Sequence, residues 1–465
     1  MTVEAPSTFA PPTRWPERLR AHSQELVRHL EQPVDGASLA LFRVGFGLFV
    51  AIAATRFFLH DWVAKYYETP KVFFSYWGLS YVKPLPYPGM SVVYALLGVF
   101  GLCLAWGRAH RLFGALTFVA FTYAHACDVT NYLNHYYFVS LMALLVAVAP
   151  VGATGIGLGP GNVRRLWLWL FRFQVACVYL GGGLAKLRAD WLFHAQPLGI
   201  WLSSNSEIFL LGRLFALKNT AYAMSWAGAA YDLSIPFLLL GRRTRPFAYL
   251  AVVVFHLLTA RLFQIGLFPW IMMFASLLFL APSYPRRLPL LGRFFGDPDA
   301  GLSLPKHPRF PMLGGATLLV YVAIQIALPL RHLAYPGNLL WTEDGFRFSW
   351  HVMLMEKNGS LELSVRVPGT GLVHTVEPHD YLTPQQAKQM STQPDLILAF
   401  AHVVRDDFAR RGVPGVEVYA SHSDVSLNGR APVPLVDPHV DLAKVEDGLG
   451  PKTFLLPAPT SKPLL

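Results

Sequence analysis

The sequence predicts an all-α polytopic membrane bundle of about nine transmembrane helices, followed by a small extracytoplasmic α+β domain. Three observations carry this expectation. Of the 465 residues 53% are hydrophobic and only 14% charged, a composition that excludes a disordered or fibrous chain. Apolar runs of near-spanning length recur through the first 330 residues. Beyond about residue 340 the pattern changes to the alternation of strands.

The first 36 residues are polar and form a cytoplasmic N-terminal segment without the early apolar core of a secretory signal. Residues 15–32 read as an amphipathic helix lying on the membrane, with Trp15, Leu19, Leu26 and Leu30 on one side. The transmembrane domain covers 37–332, with runs at about 37–59, 89–107, 111–127, 136–152, 164–184, 221–241, 246–260, 266–282 and 311–331. A span needs about 20 apolar residues. Several runs are shorter, so the count is good to about one.

Charge sets the orientation. The connections after the second, fourth, sixth and eighth runs carry Arg108 and Arg111, Arg164 and Arg165, Arg242, Arg243 and Arg245, then Arg286, Arg287, Arg293, Lys306 and Arg309. Residues 128–135 contain no lysine or arginine, and the connection after the seventh run has only Arg261. Positive loops stay inside, which places the N-terminus in the cytoplasm and the C-terminal domain outside. The long aromatic connections 60–88 and 185–220 then cap the outer face. The formal charge of +11 is spread over these loops, so a nucleic-acid surface is not indicated.

The extracytoplasmic domain, 340–455, has alternating strands expected at 346–352 and 361–367, a helix or two across 384–411 broken near Pro394, and strands at 416–420 and 424–427 before an Asn428-Gly429 turn. Residues 456–465, proline-rich, read as a loose tail. Cys103, Cys127 and Cys177 lie in apolar runs and read as small buried hydrophobes.

Lys186 is the first candidate for chemistry. It ends the apolar run Val178-Tyr179-Leu180-Gly181-Gly182-Gly183-Leu184-Ala185. A lysine at a bilayer boundary is costly, and partial desolvation makes an amine a base near neutral pH. The bland alternative is a lysine snorkelling to the interface. Asn134 and His135 open the fourth run on the same face, either to hold the oxygens of a polar headgroup or to cap a helix start. His256, inside the seventh run, is either a cavity ligand or a packed, hydrogen-bonded histidine. Asp232, inside the sixth, is read as a structural ion pair with Arg43 of the first. No GxxxxGK, HExxH, GxSxG or CxxC occurs, and His110 and His135 lack companions at metal-ligand spacing, so no metal is expected.

The chain resembles the vitamin K-dependent gamma-carboxylases, collinearly from about residue 37 to about 445. The matching pieces are Leu39-Ala40-Leu41-Phe42-Arg43, Asn134-His135, Ala185-Lys186-Leu187-Arg188-Ala189-Asp190-Trp191, Asp232-Leu233-Ser234, Phe255-His256, Leu262-Phe263-Gln264-Ile265-Gly266-Leu267-Phe268, Pro285-Arg286, Phe348-Ser349-Trp350 and Asp437-Pro438-His439-Val440-Asp441. The resemblance implies a lyase with coupled epoxidase activity. A lysine base, at Lys186, deprotonates vitamin K hydroquinone (reduced menaquinone or phylloquinone), which takes up O2 and rearranges to a strongly basic alkoxide. The alkoxide removes a glutamyl γ proton, and the carbanion captures CO2. Asn134 and His135 then stabilise the quinol oxygens or the oxygenated intermediate. The isoprenoid quinol needs an apolar groove, for which Gly183, His256, Phe263, Gly266 and Phe268 are the candidates. The implied partners are a glutamate-containing peptide or protein and the lipid bilayer. Animal members have a longer outer domain and a disulfide from an outer loop to it, whereas the aligned loop position here is Phe74 and the outer domain has no cysteine. That departure and the short arginine-rich loops point to a bacterial inner-membrane protein. Two other functions fit the same residues: a quinol epoxidase or oxygenase acting on a different substrate, and a non-catalytic quinone- or lipid-binding protein.

Overall fold

A computed structural model describes residues 15–152, 161–208, 212–263, 265–289, 292–295 and 312–464. Helix α1 (Trp15–Glu31) forms where the amphipathic pattern places it, with Leu26 exposed and His29 hydrogen-bonded to Arg165. The bundle comprises α2 (Ala37–Leu59), α3 (Gly89–Trp106), α4 (His110–Ala126), α5 (Asn134–Val148), α6 (Arg165–Ala185), α7 (Lys218–Leu240), α8 (Arg245–Leu262), α9 (Phe268–Ser276) and α10 (Met312–Leu330). These helices fall on the nine predicted runs. By length and apolarity, however, only six stretches among the described residues can cross a membrane: α2, α3, α6, α7, α8 and Gly315–Ala334, which includes most of α10. Helix α5 and the stretch Phe268–Phe279 are apolar but shorter, so the expected nine spans reduce to six on this criterion.

Helix α6 is the centre of the bundle: 61% of its apolar stretch is buried, against 6% for Gly315–Ala334 at the periphery. Helices α2 and α3 approach through glycines, since a Cβ on Gly47 would clash with the Gly101 carbonyl oxygen. Helix α3 ends on Gly107 at φ +86°, the left-handed cap only glycine adopts freely. Arg43 fills the space this leaves. Its guanidinium donates to the carbonyls of Leu104, Ala105 (2.9 Å) and Val151 (2.9 Å), a cation seated on the negative end of α3. The expected Arg43–Asp232 ion pair therefore does not form. Two short strands that periodicity did not reveal, β1 (Pro33–Asp35) and β2 (Asn162–Arg164), pair antiparallel beneath the bundle, and Asp35 meets Arg286 at 2.7 Å.

The outer domain has two three-stranded antiparallel sheets. In one, β3 (Lys357–Gly359), β7 (Asp424–Leu427) and β8 (Val433–Pro434) lie in the order β3-β7-β8; in the other, β4 (Glu362–Arg366), β5 (Val373–Val376) and β6 (Glu417–His422) lie in the order β5-β4-β6. Helices α11 (Pro384–Met390) and α12 (Pro394–Arg410) break at Pro394 as expected. Asn428 (φ +51°) and Gly429 (φ +76°) form the predicted tight turn, closed by Arg430 N–H donating to the Leu427 carbonyl. The strand expected at 346–352 is not one. Phe348, Trp350 and Met353 all have positive φ, and the segment runs as a turn-rich strap down onto the bundle. Its alternating side chains are buried by tertiary contacts rather than by a neighbouring strand.

The terminal residues are tied down rather than loose. Leu456 N–H donates to the Leu435 carbonyl, Arg430 donates to the Ser461 carbonyl, and Leu464 N–H donates to Gly429. The outer domain shares one apolar core with the 60–88 and 185–220 connections, and Phe74 is part of it. Polar contacts fix the docking. Asp190 receives bonds from Arg430 (2.6 Å) and Asn428 (2.9 Å), and Gln386 donates to Asp128 and the Val72 carbonyl. Burial would raise the Asp190 carboxyl, but Arg430 and Asn428 outweigh it and hold it below its ordinary value.

Candidate active site

Lys186 caps the C-terminus of α6 and is buried, 7% exposed. Its ammonium lies 2.7 Å from Asp232 Oδ2, 3.4 Å from the Gly182 carbonyl, and 5.3 Å from the centre of the Trp191 ring. Asp232 stands four residues before Pro236, which has no N–H for the Asp232 carbonyl, so α7 is opened at this point. The three glycines preceding Lys186 serve three separate contacts. A Cβ on Gly181 would meet Trp350 of the strap at 2.7 Å, and one on Gly183 would meet Leu233 at 2.9 Å. Gly182 leaves room for Lys186 Nζ and Asp232 Oδ2, each more than 3.5 Å from its missing Cβ. Gly183, expected at the cofactor, is thus a helix-packing residue.

Lys186 and Asp232 face a chamber of about 360 Å³ that is otherwise almost wholly apolar. Tyr179, His256, Phe263 and Phe268 line it. His256 Nε2 is 3.0 Å from the Tyr179 hydroxyl, which is 3.1 Å from Ser276 Oγ, so this histidine is both packed and chamber-lining.

Asn134 and His135 do not share this space. They line an adjoining chamber of about 430 Å³, together with Gly266, Arg56 and His351. Phe268, Ile265, Val352 and Met353 border both chambers. The partition is one ring thick at Phe268, whose centroid is 5.6 Å from that of His135 and 6.4 Å from that of His256. Asn134 accepts from Tyr132 and donates to the His351 carbonyl at 3.0 Å, so it anchors the strap.

The strap is the main component that sequence reasoning missed. Trp350, 1% exposed, stacks on Tyr137 at 5.1 Å, and Phe348 N–H donates to the Tyr132 hydroxyl. Three bulky residues at positive φ cost about 1–3 kcal/mol each, and such backbone persists only where packing fixes it. Ser349 Oγ donates to the Phe346 carbonyl, so the His351 Nδ1–H donates to Ser349 Oγ (2.6 Å). His351 Nε2 is left as a buried acceptor without a partner among the described residues. Burial, then His332 and Arg188 nearby, push the His351 pKa down to about 3, which keeps the ring neutral. Positive φ at aromatic positions has no periodic signature, so the sequence marked Phe348-Ser349-Trp350 as a matching piece but not its conformation. Among the described residues no cluster of histidine, cysteine and acidic side chains has metal-binding geometry.

These features define a polytopic membrane protein with paired chambers under an outer α+β lid. The HTTM domain model matches residues 31–284, and the lumenal domain model of the vitamin K-dependent gamma-carboxylase matches residues 311–461. The chain belongs to the vitamin K-dependent gamma-carboxylase family. No solved structure matches it.

Proposed function

We propose that the protein is a vitamin K hydroquinone-dependent glutamyl carboxylase with coupled quinol epoxidation, a carbon–carbon lyase of the bacterial inner membrane. In this reading the nine helices form the membrane domain, the N-terminus is cytoplasmic and the outer domain extracytoplasmic. The observation that carries it is Lys186: a buried amine at the end of α6, lining an apolar chamber and held 2.7 Å from a carboxylate. A snorkelling lysine would turn toward the interface, whereas this one turns into the protein.

The chamber fits the quinol. Its walls suit an aromatic head and an isoprenoid tail, with few polar groups among them, as in ligand sites. When bound, the quinol supplies, through O2, a base strong enough to remove a glutamyl γ proton, and CO2 is the second co-substrate. The proton that Lys186 Nζ shares with Asp232 Oδ2 passes to the carboxylate when the quinol enters, and the neutral amine then takes the quinol hydroxyl proton at Nζ. Asp232 keeps Nζ aimed into the chamber, and the charge left on the quinol oxygen balances that of the ammonium. Phe263 and Phe268 wall off water, and His256 is fixed by Tyr179 as part of that wall. His135, across the Phe268 ring, stabilises the oxygen that develops charge at the partition, and Asn134 fixes the strap beside it.

The test is to incubate purified protein with reduced vitamin K, labelled bicarbonate and a glutamyl peptide. Epoxide and fixed label are expected, both lost in Lys186→Ala. Epoxide without fixed label would replace this reading with an epoxidase acting on another substrate. Neither product, with quinone still bound, would leave a binding protein.

A further inference from the structure

We infer that the chamber containing Asn134 and His135 is a carboxylate-binding site for an extended acidic peptide, with Arg56 as the anchor for the glutamyl carboxylate. The inference rests on the carboxylase reading for its choice of substrate. The site itself is argued from the distribution of charge over the cavities.

Among the charged groups lining the Lys186 chamber, one cation faces one carboxylate, so its net charge is zero. A third cavity, of about 590 Å³ under the outer domain, is lined by three cations (Arg331, Arg347, Lys452) and four carboxylates (Glu343, Asp344, Asp395, Asp447). The Asn134–His135 chamber alone of these three carries an excess positive charge: among its described lining residues Arg56 is a cation and none is acidic. An anion entering the Lys186 chamber would meet Asp232, and one entering the third cavity would meet a surplus of carboxylates. Arg56 is the position where a carboxylate gains a partner without such a cost.

Arg56 is also poised for it. It lies in the last turn of α2, half-buried, and its guanidinium forms no hydrogen bond or ion pair with any described residue. Its guanidinium stacks on Trp62 at 5.3 Å, which orients the planar fork and leaves its N–H groups for a ligand. Opposite it the backbone recedes at Gly266, φ +60°, where a Cβ would come within 3.8 Å of Arg56 Nη1. In the same chamber His351 supplies an acceptor without a partner among the described residues, suited to a peptide N–H. An apolar quinol and an anionic side chain thus have separate chambers, and the reacting carbon meets the quinol at the Phe268 partition.

The experiment is equilibrium binding of labelled glutamyl peptide and its glutaminyl counterpart to the full-length protein in detergent, a readout independent of turnover. The wild type should prefer the glutamyl peptide, and Arg56→Gln should reduce that preference at least about tenfold. Arg56→Lys, which keeps the charge, should retain part of it. An unchanged preference in Arg56→Gln, or none in the wild type, overturns the inference, as does a variant that loses only thermal stability, the mark of an interfacial anchor. If Arg56→Gln does not fold, a photoreactive glutamyl peptide on the wild type decides: labelling within residues 56–66 or 133–136 supports the site, and labelling confined to α8 overturns it. Wild type that binds the glutamyl peptide with this preference but fixes no carbon dioxide would sink the carboxylase reading and leave the site standing.

Discussion

The two chambers on either side of Phe268 are built by opposite rules. Around Lys186 the only two charges among the described lining residues neutralise each other at 2.7 Å, and the rest of the wall is mostly apolar, with His256 bonded to Tyr179 and the buried Tyr231 hydroxyl without a partner among the described residues. Around His135 one guanidinium is left without a counter-charge, and polar side chains arrive from two domains. The first arrangement suits a neutral, greasy ligand and a single proton transfer. The second suits an anion that must be recognised and held. The difference rests on Asp232: each chamber has one lysine or arginine among its described lining residues, but only the first sets a carboxylate beside it.

The largest effect should come from removing the amine. Lys186→Ala is expected to lower quinol turnover by about 100- to 10,000-fold, the usual contribution of a positioned acid–base group. Epoxide formation followed by chromatography reads it. A retained rate would make the Lys186 chamber structural, and the contrast between the chambers would lose its chemical meaning.

Next is the pair itself. Asp232→Asn leaves a buried ammonium without its counter-charge and should cost about 3–5 kcal/mol of stability. Replacing both partners, Lys186→Met with Asp232→Leu, should recover most of it, because well-packed apolar residues often match a buried pair. Thermal unfolding in detergent measures both variants. Additive losses would mean that the two side chains are not coupled.

His135→Ala is expected to slow turnover by about 100- to 1,000-fold while quinol still binds, as loss of one oxyanion donor does. An unchanged rate would return His135 to helix packing and place all chemistry on the Lys186 side.

Much of this was legible in the sequence, and the failures are specific. The nine apolar runs fall on nine helices because a continuous apolar run of near-spanning length needs no tertiary knowledge to be recognised. Lys186, Asn134 and His135 were identifiable because polar groups are expensive where they stand. The partner of Asp232 was not. Arg43 instead takes the carbonyls at the end of α3, an electronegative partner that no side-chain pattern displays. The strap fails for a similar reason. Phe346 to Val352 alternates like a strand, but its burial comes from Tyr132, Tyr137 and Gly181 of the bundle, which lie far away in sequence.

The smallest expected effect tests whether the chambers share one roof. Val352 and Met353, which border both, belong to the strap, and the outer domain that carries it is held to the bundle partly by Arg430 and Asn428 on Asp190. Hydrogen bonds from those residues hold the Asp190 carboxyl below its ordinary value of 3.8. A carboxyl depressed by folding contributes stability above the unfolded value and loses it as the pH falls through the folded one. The outer domain should therefore loosen below about pH 4. Asp190→Asn should remove that dependence at a cost of about 1–2 kcal/mol, allowing for the part of the pair that solvent reaches. Proteolysis of the outer domain across pH 3–6 follows the loosening. Glutamyl-peptide binding and quinol binding should weaken together in Asp190→Asn, because one strap borders both chambers. If only one of them weakens, the strap is anchored to that chamber alone, and the other holds its shape through the bundle.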